Sequence, residues 1–132
     1  MKETMPARKI LIVDDVEDSL LMMEYMLSLQ GYDVITAPSV DAAIVQARQE
    51  LPDLIITDLG MPEKDGFDLL KLIRQDQRLA TIPTIALSGY TNSAEVERVK
   101  AAGFTAHLPK PVEEEDLLRV IRDCQEAKSP GA

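Results

Sequence analysis

Four consecutive apolar residues, Ile10-Leu11-Ile12-Val13, end abruptly in Asp14-Asp15. An uninterrupted apolar run marks a strand covered on both faces. Leu20, Met23 and Leu27 then recur at helical spacing, with Glu17 or Asp18 near the start and Gly31 as the stop, so a helix follows the strand. The pair repeats. Val34-Ile35-Thr36 predicts a second strand, and Val40, Ala43, Ile44 and Ala47 form the inward stripe of a second helix that Pro52 terminates. Asp53 to Thr57 predicts the third strand, and Phe67, Leu70 and Ile73 a third helix after a loop from Pro62 to Gly66. A fourth strand from Thr84 to Leu87 ends at Ser88-Gly89-Tyr90, and Val96 and Val99 mark a fourth helix closed by Gly103. Thr105 to Leu108 gives a short fifth strand, and Leu117, Val120, Ile121 and Cys124 a fifth helix. Met22, Met23 and Met26 read as core and helix-face packing.

Five strands alternating with five helices across short connections predict one parallel sheet with right-handed crossovers and helices on both faces, a doubly wound α/β domain. Ligands of such sheets sit at the carboxyl ends of the strands, near the point where strand order reverses. The residues delivered there are Asp14, Asp15, Asp58, Ser88 and Lys110. Residues 9–126 are expected to form the single domain, with 1–8 and 127–132 as flexible polar termini.

Charge narrows the function. Against 14 Lys and Arg stand 23 Asp and Glu, a formal charge of -9, which repels a phosphate backbone and argues against direct nucleic-acid binding. No apolar run approaches the length of a membrane span, and no basic-then-apolar leader opens the chain. Cys124 has no second Cys or ligand-spaced His beside it, so a reducing, cytoplasmic compartment is expected. Glu113 to Asp116 is most simply acidity at a helix start, where the helix dipole favours it.

A lone Asp after a strand, followed as here by Gly60 and Pro62, is ordinarily a turn former. Its company changes that reading of Asp58. Three carboxylates gathered at one sheet edge repel one another unless a cation sits among them. All-oxygen ligation without His or Cys favours Mg²⁺ or Mn²⁺, with room left for water and a phosphoryl oxygen. Asp58, ionised at neutral pH, then has the chemistry to attack a phosphoryl group and form an aspartyl phosphate without a general base. Lys110 would bring positive charge to the phosphoryl oxygens, and Ser88 a hydrogen bond.

Asp14-Asp15 after the first strand, Asp58 with Gly60-Met61-Pro62 and Asp65-Gly66 after the third, Ser88-Gly89 after the fourth and Lys110-Pro111 after the fifth resemble the receiver domain of two-component response regulators. The resemblance runs from about Lys9 to Cys124 and implies a flavodoxin-like (βα)5 fold with strand order 2-1-3-4-5. It implies that Asp58 is the phosphoacceptor, supplied by a histidine kinase or a histidine phosphotransfer protein. Asp15 would bind Mg²⁺ directly, Asp14 through water, and the Gly60 carbonyl would be a further ligand. Lys110 would contact the phosphoryl group from a typically cis Lys110-Pro111 peptide. Ser88 would be the hydroxyl that moves to report the phosphate, and Gly60 and Tyr90 would flank the phosphoryl position and tune its lifetime.

Where this family usually has Tyr or Phe, three residues before the lysine, the chain has His107. Two readings of His107 stand: a surface residue on a short edge strand, or a switch residue whose charge varies near neutral pH. The resemblance implies a signalling module, not a dedicated enzyme, working as a monomer or a phosphorylation-dependent dimer. With only a short tail expected after the fifth helix, output would pass through protein contact with a downstream target or through phosphate relay. Competing readings are a Mg²⁺-dependent phosphatase or phosphotransferase, for which no turnover acid or base is evident, and an unphosphorylated pseudo-receiver. Flavin binding lacks a Ser/Thr/Gly-rich loop after the first strand.

Overall fold

The computed structural model describes residues 8–89 and 92–128, with side chains through Cys124. Its strands are β1 (Lys9–Val13), β2 (Asp33–Ala37), β3 (Leu54–Asp58), β4 (Thr84–Ser88) and β5 (Ala106–Pro109). The helices between and after them are α1 (Glu17–Leu29), α2 (Val40–Glu50), α3 (Gly66–Gln75), α4 (Ser93–Ala102) and α5 (Glu114–Lys128). All strands are parallel, in the order β2-β1-β3-β4-β5. The expected fold is the observed one, and strand order reverses between β1 and β3. Among the described residues no helix is long and apolar enough to cross a membrane.

Alternate residues of each strand feed opposite faces, which is why the apolar runs are continuous. On one face Ile10, Ile12, Leu54, Ile56, Ile85 and Leu87 pack with α1 and α5. On the other, Leu11, Val13 and Ile55 meet the α2 stripe of Val40, Ala43, Ile44 and Ala47 and Leu69 and Ile73 of α3. Towards β4 and β5 this second face is thinner: Leu59, Ala86 and Val99 are buried, with Phe67 and Phe104 packed against them.

Local chemistry sets the element ends. Ser39, Asp65 and Asn92 cap α2, α3 and α4 with side-chain oxygens, and Asp65 and Asp68 form a reciprocal capping box. Gly103 closes α4 at φ +99°, and Gly31, at φ +93°, turns the chain after α1. Arg74 ties the end of α3 to the segment before β4, its Nη1 donating to the Ala80 and Ile82 carbonyls at 3.1 Å.

Several boundaries differ by a residue. β3 starts at Leu54, and Asp53 just before it is bonded to Lys9 twice at 2.8 Å, its amide donating to the Lys9 carbonyl and its carboxylate accepting from the Lys9 amide. β5 starts at Ala106, and Thr105 just before it donates its amide to the Thr84 carbonyl at 2.9 Å while its Oγ1 accepts from the Thr84 amide at 3.0 Å. α4 buries Val99 alone, with Val96 half-buried. Leu79, fully buried after α3, was not expected in the core, since it lies outside any periodic run. Of the three methionines on α1, Met23 is buried and Met26 half-buried, but Met22 is exposed beside Leu21, Tyr25 and Leu29.

Candidate functional site

The strand order brings the expected residues to one edge. Asp58 is the last residue of β3, Asp14 and Asp15 follow β1 next to it, Ser88 ends β4 and Lys110 follows β5. Asp14 is buried and held by its own loop, its Oδ1 accepting from the Val16 amide at 2.9 Å. That leaves Oδ2 facing Lys110, whose Nζ lies 3.2 Å from it and 3.3 Å from Asp58 Oδ1. Asp15 is exposed at the rim, and one oxygen from each of Asp14, Asp15 and Asp58 lies within 4.8 Å of the others.

Electrostatics follow from this crowding. Burial is the main cause that pushes Asp58 above the ordinary carboxylate value, and Asp14 adds to it, while Lys110 and the Gly60 amide pull the other way. Burial works to lower the Lys110 pKa, but Asp58 and Asp14 outweigh it and hold the ammonium above its usual value. The lysine stays charged at neutral pH. Hard oxygen donors with no His or Cys among them fit Mg²⁺ or Mn²⁺, and the lysine shows that the cluster draws a cation.

Gly66 explains part of the third motif. A Cβ there would lie 2.7 Å from the Asp58 carbonyl oxygen and 2.9 Å from Leu59 Cδ2, so only glycine lets α3 begin against the end of β3. Gly60 faces open space. The Lys110–Pro111 peptide is cis. Tyr90 lies outside the described residues.

Beyond Asp58 the edge opens into a cleft of about 440 Å³ lined by Asp58, Gly60, Ser88, Glu95, Arg98 and Lys110. Glu95 and Arg98 were not expected there. The signal that could have found Glu95 is Asn92 three positions earlier, a capping spacing that puts Glu95 in the first turn of a helix starting at the edge. The Arg98 guanidinium sits 3.9 Å over the Phe67 ring, which meets Phe104 edge-on at 5.6 Å.

His107 pairs in register with Ala86, so it stands on the sheet face that carries Leu59 and Val99 under α4. It is half-buried, and its Nε2 is fully buried with no hydrogen-bond partner among the described residues. A plain surface residue does not fit that placement.

The profile of the response regulator receiver domain matches residues 10–122. The chain belongs to this family. The polar-differentiation response regulator DivK of Brucella ovis is 29% identical over 87% of this chain and 94% of its own length. The chemotaxis protein CheY4 of Vibrio cholerae is 31% identical, with a TM-score of 0.85 over 89% of this chain and 98% of that one. The receiver domain of a sensor histidine kinase of Pseudomonas aeruginosa, solved with a magnesium ion coordinated in its active-site cleft, is 27% identical, with a TM-score of 0.81 over 89% and 96% of the two chains. Receiver domains are signalling switches of two-component systems rather than dedicated enzymes, and the cluster of Asp14, Asp15 and Asp58 fits a phosphorylation site.

Proposed function

We propose that this receiver accepts a phosphoryl group on Asp58 from a phosphohistidine, on a histidine kinase or a histidine phosphotransfer protein, and thereby changes its affinity for a protein target. The observation that carries this reading is Lys110 Nζ held between Asp14 Oδ2 at 3.2 Å and Asp58 Oδ1 at 3.3 Å. An Asp58 oxygen attacks phosphorus, the P–N bond to the imidazole breaks, and its electron pair leaves with the imidazole nitrogen. Burial, which raises the basicity of Asp58, strengthens it as a nucleophile. Lys110 is placed to follow the new charge by donating to a phosphoryl oxygen, and Ser88 supplies a second donor. Asp14, Asp15, Asp58 and the Gly60 carbonyl would hold Mg²⁺ or Mn²⁺, which when bound neutralises phosphoryl charge.

In this account Ser88 and His107 form the switch. Phosphorylation draws Ser88 towards the new oxygens, and His107, on the same side of the sheet, readjusts its half-buried ring beneath α4. The response is read by protein contact or relay, in the cytoplasm, by a monomer or a phosphorylation-dependent dimer. Gly60 and Tyr90 tune the lifetime, Tyr90 by impeding the attacking water, so Tyr90→Ala is expected to speed dephosphorylation; an unchanged decay rate removes that role.

The decisive experiment incubates the protein with Mg²⁺ and acetyl phosphate and reads intact mass, with Asp58→Ala as control. The expected result is one base-labile phosphate on the wild type and none on the variant. No adduct on the wild type despite measured Mg²⁺ binding points to a pseudo-receiver. Multiple turnover of phosphate esters points to a phosphatase.

A further inference from the structure

The cleft beside Asp58 carries a carboxylate, that of Glu95, which phosphoryl transfer leaves without a task. Glu95 reaches it from the first turn of α4, where its own amide donates to the capping Asn92 Oδ1 at 2.8 Å and fixes the turn. Its Oε2 accepts from Ser88 Oγ at 3.4 Å. Ser88 is buried, 2% exposed, and a serine hydroxyl has a single proton to donate.

That proton has two candidate acceptors. In the protein without phosphate the hydroxyl lies within hydrogen-bond reach of Glu95 Oε2, and the reading above, on which this inference rests, requires it at a phosphoryl oxygen. Both acceptors are anionic, and the hydroxyl cannot donate to both at once. We infer that Glu95 is a positioning residue that holds Ser88 in the resting arrangement, so that the switch exchanges one anionic acceptor for another.

A contact made only in the resting state shifts the two-state equilibrium away from the switched state by its own free energy. At 3.4 Å the bond is longer than the common O–H···O distance, so its bias is small. Removing it should raise affinity for a phosphoryl mimic by about two- to fivefold, the size of one weak hydrogen bond. The carboxylate also repels any anion in the cleft, and that effect needs no Ser88. The two causes separate in a double-mutant cycle.

The test titrates beryllofluoride with Mg²⁺ into wild type, Glu95→Ala, Ser88→Ala and the double variant, with Glu95→Gln as a shape-preserving control and thermal unfolding to confirm that each folds. The expected result is tighter binding in Glu95→Ala when Ser88 is present and a clearly smaller gain when it is not. The Ser88 amide resonance of unliganded Glu95→Ala should also move towards its position in the beryllofluoride complex. Equal gains in both backgrounds assign Glu95 to simple repulsion and overturn the inference, as does no gain at all. If wild type fails to bind beryllofluoride with Mg²⁺, the receiver reading falls first and takes the inference with it.

Discussion

The β1–β3 half of the sheet edge and the β4–β5 half are built differently. Around β1 and β3 both faces are sealed: α1 contributes Leu20, Met23 and Leu27, α2 contributes Val40, Ala43, Ile44 and Ala47, and α3 contributes Leu69, Leu70 and Ile73. Beneath α4 only Val99 of the helix is buried, and β5 adds a half-buried histidine. The aspartate cluster is thus mounted on the densely packed half, while Ser88 and His107 sit beside the sparsely packed one. Reaction geometry needs rigidity, and a reported state needs an element that moves at low cost. Under the proposed function, the two tasks fall to the two halves.

The largest expected effect lies in the dense half. Ile55→Ala, at the centre of β3 with no exposed surface, should cost about 3–4 kcal/mol in denaturant unfolding. A loss below about 1 kcal/mol would show that the frame relaxes readily. Gly66→Ala should come next, at about 2 kcal/mol of overpacking, because its Cβ meets the Asp58 carbonyl. It should also slow labelling by acetyl phosphate; loss of stability with unchanged labelling would separate the α3 contact from the chemistry.

Asp58→Asn works in the opposite direction. The folded pKa of Asp58 is raised above 3.8, so its ionised form opposes folding above the folded pKa, and that opposition fades as pH falls through the folded value towards 3.8. The variant should gain on the order of 1 kcal/mol at neutral pH, a few degrees in Tm, and the gain should vanish in acid. A gain that persists at low pH would point to packing instead of charge. The smallest global effect belongs to Val99→Ala, about 1 kcal/mol, but it should be local. Hydrogen exchange should speed up in α4 and leave α1 to α3 protected; uniform acceleration would erase the difference between the halves.

The same contrast decided what could be read from the sequence. Asp14, Asp15, Asp58, Ser88 and Lys110 were legible because each ends or follows an apolar run, and a parallel sheet sends all such ends to one edge. The stripe of α2 was legible for the same reason, periodicity against a deep core. Glu95 and Arg98 were not, since a helix with one buried residue reads as an ordinary solvated helix and does not reveal which charges lean over a cleft. Leu79 escaped because its burial comes from a turn and not from a period. The burial of His107 Nε2 depends on its register with Ala86, which no local pattern encodes.

Parallel strand direction also gives the molecule a quiet end. Connections from helix to strand, including the exposed bend at Gly31, lie at the edge opposite the acidic cluster. A five-residue strand separates the two edges by about 16 Å. A fluorescent label or a short peptide inserted beside Gly31 therefore tags the molecule without standing in the way of the acidic cluster, and a second domain grafted there would leave that edge open.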